Sequence, residues 1–180
     1  MVRLYTQAIR FSANKQWIAV VLVLLSLFFS TAANAQEIET LTTETLDWFA
    51  DDVDQQIPND AVFTIKDVQT GMTFTAIRCS GKSHLDAEPA SAADTAAFKE
   101  IVGGKWRWLG RPILIMYDSR VFAASMCSKP HGTQTIKDND YDGHFCIHFK
   151  NSRTHAQDKV IRSYQNAVAI AGESSWHEAP

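Results

Sequence analysis

One heptapeptide near the C-terminus constrains the fold most strongly, because its polar and apolar residues alternate. Residues 143–149 read Gly-His-Phe-Cys-Ile-His-Phe. Alternate side chains of an extended strand point to opposite faces. One face of such a strand is therefore apolar, and the other carries His144, Cys146 and His148. The pattern predicts a short strand that packs its apolar face on a core and presents a thiol between two imidazoles on the other.

The rest of the sequence predicts two hairpins and three helices around this strand. Segments rich in Val, Ile, Phe and Thr are separated by turn residues, which is typical of antiparallel hairpins, and other segments have helical apolar spacing. The predicted strands are 61–68, 72–79, 113–117, 121–126 and 144–149, and the predicted helices are 40–56, 91–101 and 160–171. Since strands follow strands directly, we expect an α+β fold: a single small domain with a mainly antiparallel β-sheet and flanking helices.

The first 35 residues have the pattern of an export signal. Three basic residues precede an apolar run at 17–29, and Ala33-Asn34-Ala35 is a small-x-small cleavage pattern. The run has 13 residues, fewer than the roughly 20 that span a bilayer. We therefore expect a cleaved signal peptide at 1–35, a periplasmic or secreted protein, and no stable membrane span after cleavage. The mature chain is expected to comprise an N-terminal helical segment at 36–60 and an α+β catalytic-like domain at 61–180.

The charge of the chain argues against a nucleic-acid partner. The full sequence has a formal net charge of −3. The signal contains three basic residues and no acidic residue, so its removal makes the protein more acidic. Nucleic-acid binding needs a basic stripe, which the sequence lacks.

An exported chain with three cysteines is expected to pair two of them and leave one free. Cys146 lies between histidines, whereas Cys79 and Cys127 lie near the ends of strand-like segments. The sequence thus predicts a Cys79–Cys127 disulfide and a free Cys146 thiol.

A histidine that could serve Cys146 lies 15 residues upstream. His131 follows the second hairpin and precedes Gly132. An imidazole that accepts the thiol proton generates the nucleophilic thiolate, so the pair predicts nucleophilic catalysis without a cofactor.

The two motifs together resemble a known catalytic stretch. His131-Gly132-Thr133 followed by Gly143 to Ile147 is similar, over about 20 residues, to the L,D-transpeptidase (YkuD-type) domains. The cysteine of that family forms an acyl-enzyme with a peptidoglycan stem peptide. The resemblance implies an L,D-transpeptidase-like fold, with Cys146 as nucleophile, His131 as base and His144 as a second histidine near the thiol.

A longer resemblance covers nearly all of residues 60–170. The block Gly143 to His155 (GHFCIHF-x-NSRTH) and the Asp94-Thr95-Ala96 segment resemble a bacterial exported domain that often follows peptidoglycan-binding modules. This resemblance implies peptidoglycan or its stem peptides as the partner.

Residues beside the motif could bind such a substrate. A guanidinium can hold a carboxylate through two hydrogen bonds, and stem peptides carry carboxylates. The predicted substrate-binding residues are Arg153, His148, His155, Gly132 and Ser152. His84, Asp86 and Glu88 also alternate, as in a metal site or a second polar wall of the cleft.

Two other functions remain open at this point. His131, His144, Cys146 and His148 include enough nitrogen and sulfur ligands for zinc, in a hydrolase or a zinc-stabilised domain. However, positions i, i+2 and i+4 of one strand span about 13 Å, too far for all three to reach one ion. Alternatively, Trp106, Trp108 and Arg153 could form the contact surface of a non-catalytic cell-wall binding module.

Overall fold

The structure, a computed structural model, describes residues 41–177 and contains seven strands and three helices. The strands are β1 (Thr43–Glu44), β2 (Val62–Asp67), β3 (Thr73–Ser80), β4 (Leu85–Pro89), β5 (Arg111–Tyr117), β6 (Arg120–Met126) and β7 (Phe145–His148). The helices are α1 (Val53–Gln56), α2 (Ala92–Ile101) and α3 (Arg162–Gly172). The predicted signal peptide at 1–35 lies outside the described residues. None of the described helices is long and apolar enough to cross a membrane.

The strands form a closed antiparallel barrel. Their order is β6-β5-β2-β3-β4-β7, and β7 pairs again with β6. Strand β6 meets β7 at Ser125 and Met126, whereas its other end pairs in parallel with the short β1 at Val121 and Phe122. Closure satisfies the backbone groups of strands that would otherwise be sheet edges. The α+β class is confirmed in this form.

The barrel interior is a continuous apolar core. Inward-facing residues of every barrel strand contribute, and α2 adds Phe98 and Ile101. Phe98 stacks on Phe74 at 4.6 Å between ring centroids and lies 4.9 Å from Phe145. Ser91 caps α2 by accepting a hydrogen bond from the Asp94 N–H, which satisfies one of the free amides at the helix start.

Helix α3 covers the outer face of β5 and β6. A second apolar cluster lies there, formed by Leu114, Val121 and Ala123 of the strands with Ala171 and Trp176. Both faces of these two strands are consequently buried. This explains why their sequences are continuous apolar runs rather than alternating patterns.

Both predicted hairpins and the helices at 91–101 and 160–171 are confirmed within two residues at each end. The turn of the second hairpin has positive φ angles at Asp118 and Ser119, as hairpin turns require.

The helix predicted at 40–56 is wrong for the described residues. A two-residue strand and the four-residue helix α1 replace it. The Asp47 carboxylate accepts the N–H groups of Phe49 and Ala50, so a local turn competes with the helix. Trp48 is buried in the barrel core. Residues 41–60 therefore belong to the same compact unit as the barrel.

Loss of the Phe98 ring should destabilise the fold strongly. Phe98 is fully buried and joins α2 to the barrel. Phe98→Ala is expected to reduce the free energy of unfolding by about 3–5 kcal/mol, measured by urea denaturation. Lys99→Ala, an exposed neighbour on the same helix, should change it by no more than about 0.5 kcal/mol. Equal losses for the two variants would contradict the assigned core.

Candidate active site

The site lies on the outer faces of β4 and β7, which barrel closure makes neighbours. Asp86 of β4 is directly opposite Cys146 of β7 in the antiparallel register. The flanking pairs, Leu85 with Ile147 and Ala87 with Phe145, point into the core. The predicted division of the motif strand into an apolar and a polar face is thus confirmed.

The loop at 129–142 covers this polar face, and Glu88 holds the loop in place. The fully buried Glu88 carboxylate accepts hydrogen bonds from the Thr135 N–H at 2.6 Å, the Thr135 hydroxyl at 2.7 Å and the Ile136 N–H at 3.0 Å. Glu88 is therefore a structural anchor. Asp86 of β4 and His84, which immediately precedes β4, lie instead beside the Cys146 thiol.

His131 reaches the site because the loop pairs with the start of the motif. The His131 and His144 backbones exchange two hydrogen bonds of 3.1 and 2.8 Å. Gly132 has φ +69°, and a Cβ there would lie 2.2 Å from Cε1 of His144. A Cβ on Gly143, at φ +111°, would lie 2.4 Å from the His131 carbonyl oxygen. Both glycines permit this close approach because they lack a Cβ. Gly132 was predicted to bind substrate, and in the structure it has a packing role.

The thiol and an imidazole form a direct pair, here called the thiol–imidazole pair (Cys146 and His131). His131 Nε2 lies 3.1 Å from Cys146 Sγ. His131 Nδ1 lies 2.8 Å from the Lys129 carbonyl oxygen. A carbonyl only accepts, so Nδ1 carries the proton and Nε2 offers its lone pair to the thiol. Burial lowers the pKa of His131, which keeps the ring neutral and able to accept a proton.

The surroundings of Cys146 favour its neutral thiol form. Its residue is only 5% exposed. The hydrogen bond with Cys127, burial and the nearby Asp86 charge all raise the pKa of Cys146. The resting site therefore differs from a thiolate–imidazolium ion pair, and proton transfer to His131 must accompany attack on a substrate.

The disulfide predicted between Cys79 and Cys127 is not formed, and all three cysteines are free. Cys79 lies in β3, which pairs with β2 and β4, whereas Cys127 follows β6, which pairs with β1, β5 and β7. Cys127 lies instead beside the thiol–imidazole pair, with its sulfur within 4.8 Å of the Cys146 sulfur and of a His131 nitrogen. The positions of Cys79 and Cys127 near strand ends did not reveal this neighbour.

Asp86 is the centre of a second group, here called the His–Asp cluster (His84, Asp86, His144 and His155). Oδ1 of Asp86 lies 3.1 Å from Nε2 of His84, 3.2 Å from Nε2 of His155 and 3.7 Å from Nε2 of His144. The same oxygen lies 3.8 Å from Cys146 Sγ. His155 was predicted to bind substrate, and its side chain, 52% exposed, closes the cluster on the solvent side.

Backbone carbonyls fix the orientation of two rings in this cluster. Nδ1 of His84 lies 2.6 Å from the Arg153 carbonyl oxygen, and Nδ1 of His144 lies 3.3 Å from that of Thr133. Nδ1 therefore donates in both rings, and Nε2 carries the lone pair when the ring is neutral and an N–H when it is protonated. Nε2 of His84 and Nε2 of His144 are buried and have no hydrogen-bond partner.

The Asp86 carboxylate is ionised. Burial alone would raise the pKa of Asp86, but the hydrogen bond and positive charge of His84, with smaller contributions from His144 and Ser80, hold it well below the ordinary value. The Ser80 hydroxyl donates to Oδ2 at 2.9 Å, which orients the carboxylate towards the histidines.

Three predicted substrate-binding residues have other roles in the structure. His148 is 2% exposed and is stacked between His84 and Tyr164, at centroid distances of 4.7 and 4.3 Å. Ser152 is fully buried, and its hydroxyl accepts the Phe149 N–H. The Arg153 guanidinium pairs with Asp158. The structure therefore places His148 and Ser152 in buried packing and hydrogen-bonding positions, and Arg153 contributes its carbonyl to the site.

The two tryptophans of the alternative binding surface separate. Trp106 packs against Phe98 and Tyr141 at the core. Trp108 is 56% exposed, and its ring lies 4.7 Å from that of His131. Trp108 thus forms one rim of the thiol–imidazole pair.

No family model, curated protein or solved structure matches the chain. The geometry of the site therefore carries the functional argument.

The arrangement of cysteines predicts which thiols become linked on oxidation. Treatment of the reduced, metal-free protein with a mild thiol oxidant should join Cys127 to Cys146, because their sulfurs are neighbours, and should leave Cys79 free. Peptide mapping by mass spectrometry would identify the link. Cys79→Ser should cross-link as well as the wild type, whereas a Cys79–Cys127 link would contradict the structure.

Proposed function

We propose that the protein is an exported cysteine-dependent acyl-transfer enzyme, a transpeptidase or hydrolase, acting on peptidoglycan stem peptides. The observation that carries the proposal is the thiol–imidazole pair: a 3.1 Å contact from His131 Nε2 to Cys146 Sγ, with Nδ1 held by the Lys129 carbonyl. A nucleophile, a base and a group that orients the base are the parts that covalent catalysis needs.

The chemistry follows from the protonation of this pair. As Cys146 Sγ bonds to the substrate carbonyl carbon, its proton passes to His131 Nε2. The carbon–nitrogen bond of the peptide then breaks, and the departing amine takes that proton from His131. The product is a thioester on Cys146. An amine or a water molecule then attacks the thioester, gives its proton to His131 and restores the thiol.

The substrate class is supported by the resemblance of His131-Gly132-Thr133 and residues 143–147 to L,D-transpeptidases, and by the export pattern at 1–35. The surroundings of Trp108 fit a peptide with carboxylate groups. A cavity of about 410 Å³ is lined in part by Arg107 and Leu109, the chain neighbours of Trp108, and by Ser128, and its lining does not include Cys146 or His131. Arg107 is exposed and can pair with a carboxylate.

Removal of either member of the thiol–imidazole pair should abolish or greatly reduce turnover. Incubation of metal-free protein with purified stem-peptide fragments, followed by mass spectrometry, should show new products with the wild type and none with Cys146→Ala. His131→Ala should lower the rate by about 10²–10⁴-fold, the usual contribution of a general base. Cys79→Ala is the matched control, since this thiol lies on β3, away from the pair, and it should keep full activity.

Unchanged product formation by Cys146→Ala would overturn the proposal. Circular dichroism of each variant would show that a loss of activity reflects chemistry and not unfolding.

A further inference from the structure

The Asp86 carboxylate of the His–Asp cluster needs a positive charge beside it, because neutral histidine rings would face it with lone pairs. Nε2 of His84 and Nε2 of His144 are buried without partners and face Oδ1 of the ionised Asp86. A lone pair opposite a carboxylate oxygen is repulsive, and an unpaired polar atom in a protein interior is costly. A positive charge between these atoms, either a proton on a ring or a bound cation, would remove both penalties.

The geometry points to a binding site for one zinc ion, or a similarly soft divalent cation, formed by His84, Asp86, Cys146 and His155. One ligand atom from each of these residues lies within 4.8 Å of all the others. The set differs from the zinc ligands expected from the sequence, because His148 stacks behind His84 and Asp86 takes a central place.

The distances between ligand atoms fit a tetrahedral ion. Bonds of 2.0–2.3 Å at tetrahedral angles place neighbouring ligand atoms about 3.3–3.7 Å apart. In the structure, Asp86 Oδ1 lies 3.1 Å from His84, 3.2 Å from His155 and 3.8 Å from Cys146 Sγ. These three distances lie within a few tenths of an ångström of the tetrahedral range, and the other three ligand pairs lie within 4.8 Å.

The outer contacts are those of a metal site. The Arg153 carbonyl holds Nδ1 of His84, and the Ser80 hydroxyl holds Asp86 Oδ2. Such partners fix the tautomer of a ligating histidine and the orientation of a ligating carboxylate.

The ligand types select the ion. Imidazole nitrogen and thiolate sulfur suit zinc, whereas calcium and magnesium prefer oxygen-rich sites. On binding, Cys146 releases its proton to solvent and forms a sulfur–metal bond. Together with Asp86, the thiolate neutralises a divalent ion.

The site has a consequence for catalysis, and this part alone rests on the proposed function. A Cys146 sulfur bonded to the ion shares a lone pair with the metal and is a weaker nucleophile than a free thiolate, so metal binding is expected to suppress acyl transfer. Zinc would therefore inhibit the enzyme, and a chelator would restore its activity.

Metal titration of the mature chain, prepared without a histidine tag, tests the site. Zinc added in competition with a chromophoric chelator should bind at one ion per chain. Cobalt(II), used as a coloured substitute, should give a thiolate-to-cobalt charge-transfer band in the near ultraviolet, and Cys146→Ala should abolish this band.

His155 is the exposed ligand, so its replacement should leave the fold intact. His155→Ala should weaken zinc binding at least about 10–100-fold, the loss known for partners of metal ligands. His177→Ala is the matched control, an exposed histidine outside the cluster, and it should bind zinc as the wild type does.

Three results would overturn the inference: no stoichiometric zinc binding by the wild type, a cobalt spectrum without the thiolate band, or equal affinities for His155→Ala and His177→Ala. Turnover of stem peptides by the metal-free wild type is measured separately. Zinc binding without turnover would leave the metal site intact and remove the proposed function, and turnover without zinc binding would do the reverse.

Discussion

The pairing of β7 with β4 on one side and with β6 on the other is the constraint on which the rest of the structure depends. It closes the barrel and places Asp86 directly opposite Cys146. The same pairing brings Cys127, just beyond β6, to the Cys146 carbonyl at 3.0 Å. Without closure, the apolar face of the motif strand would lose its core, and the polar face would lose its partners.

The site concentrates buried polar groups to an unusual degree. All but one of the six histidines lie around Cys146 and Asp86. Burying such groups is costly unless each finds a partner. In three of these rings a backbone carbonyl, that of Lys129, Thr133 or Arg153, accepts a hydrogen bond from one of the two nitrogens. The remaining nitrogens converge on the thiol and the carboxylate. This convergence suits a reacting proton at His131 and a cation at the His–Asp cluster.

The two proposals share Cys146, and its environment explains how. The pKa of Cys146 is raised, so the sulfur must lose its proton before it can act as a nucleophile. It loses its proton either to His131 during attack or to solvent when a metal binds. The Cys146 sulfur would thus bond either to an acyl group or to a metal ion, and the occupancy of the metal site would decide between the two.

Much of the fold could be predicted from local patterns. The alternation at 143–149 predicted both faces of β7, and turn residues predicted the hairpins. The contact between His131 and Cys146 followed from a histidine at a loop start and a strand-bound thiol. Strand β4 was not among the predicted strands, because Asp86 and Glu88 on its outer face and Pro89 at its end have low strand propensity. Only barrel closure, a long-range property, pairs it with β7.

Long-range pairing also explains the errors at the site. The cysteine pairing was inferred from strand ends, but the order of strands in the barrel separates Cys79 from Cys127. The polar side chains of His148 and Ser152 looked available for substrate. Packing by Tyr164 and a backbone N–H, neither visible in the local sequence, makes them structural.

The central claim is that Cys146 carries the acyl group, and trapping that intermediate tests it most directly. Metal-free wild-type protein is mixed with a stem-peptide donor, quenched in acid within the first turnover and measured by intact-protein and peptide mass spectrometry. The account predicts an acyl adduct on the peptide that contains Cys146, absent from Cys146→Ala. Products formed without any adduct, or an adduct on another residue, would contradict it.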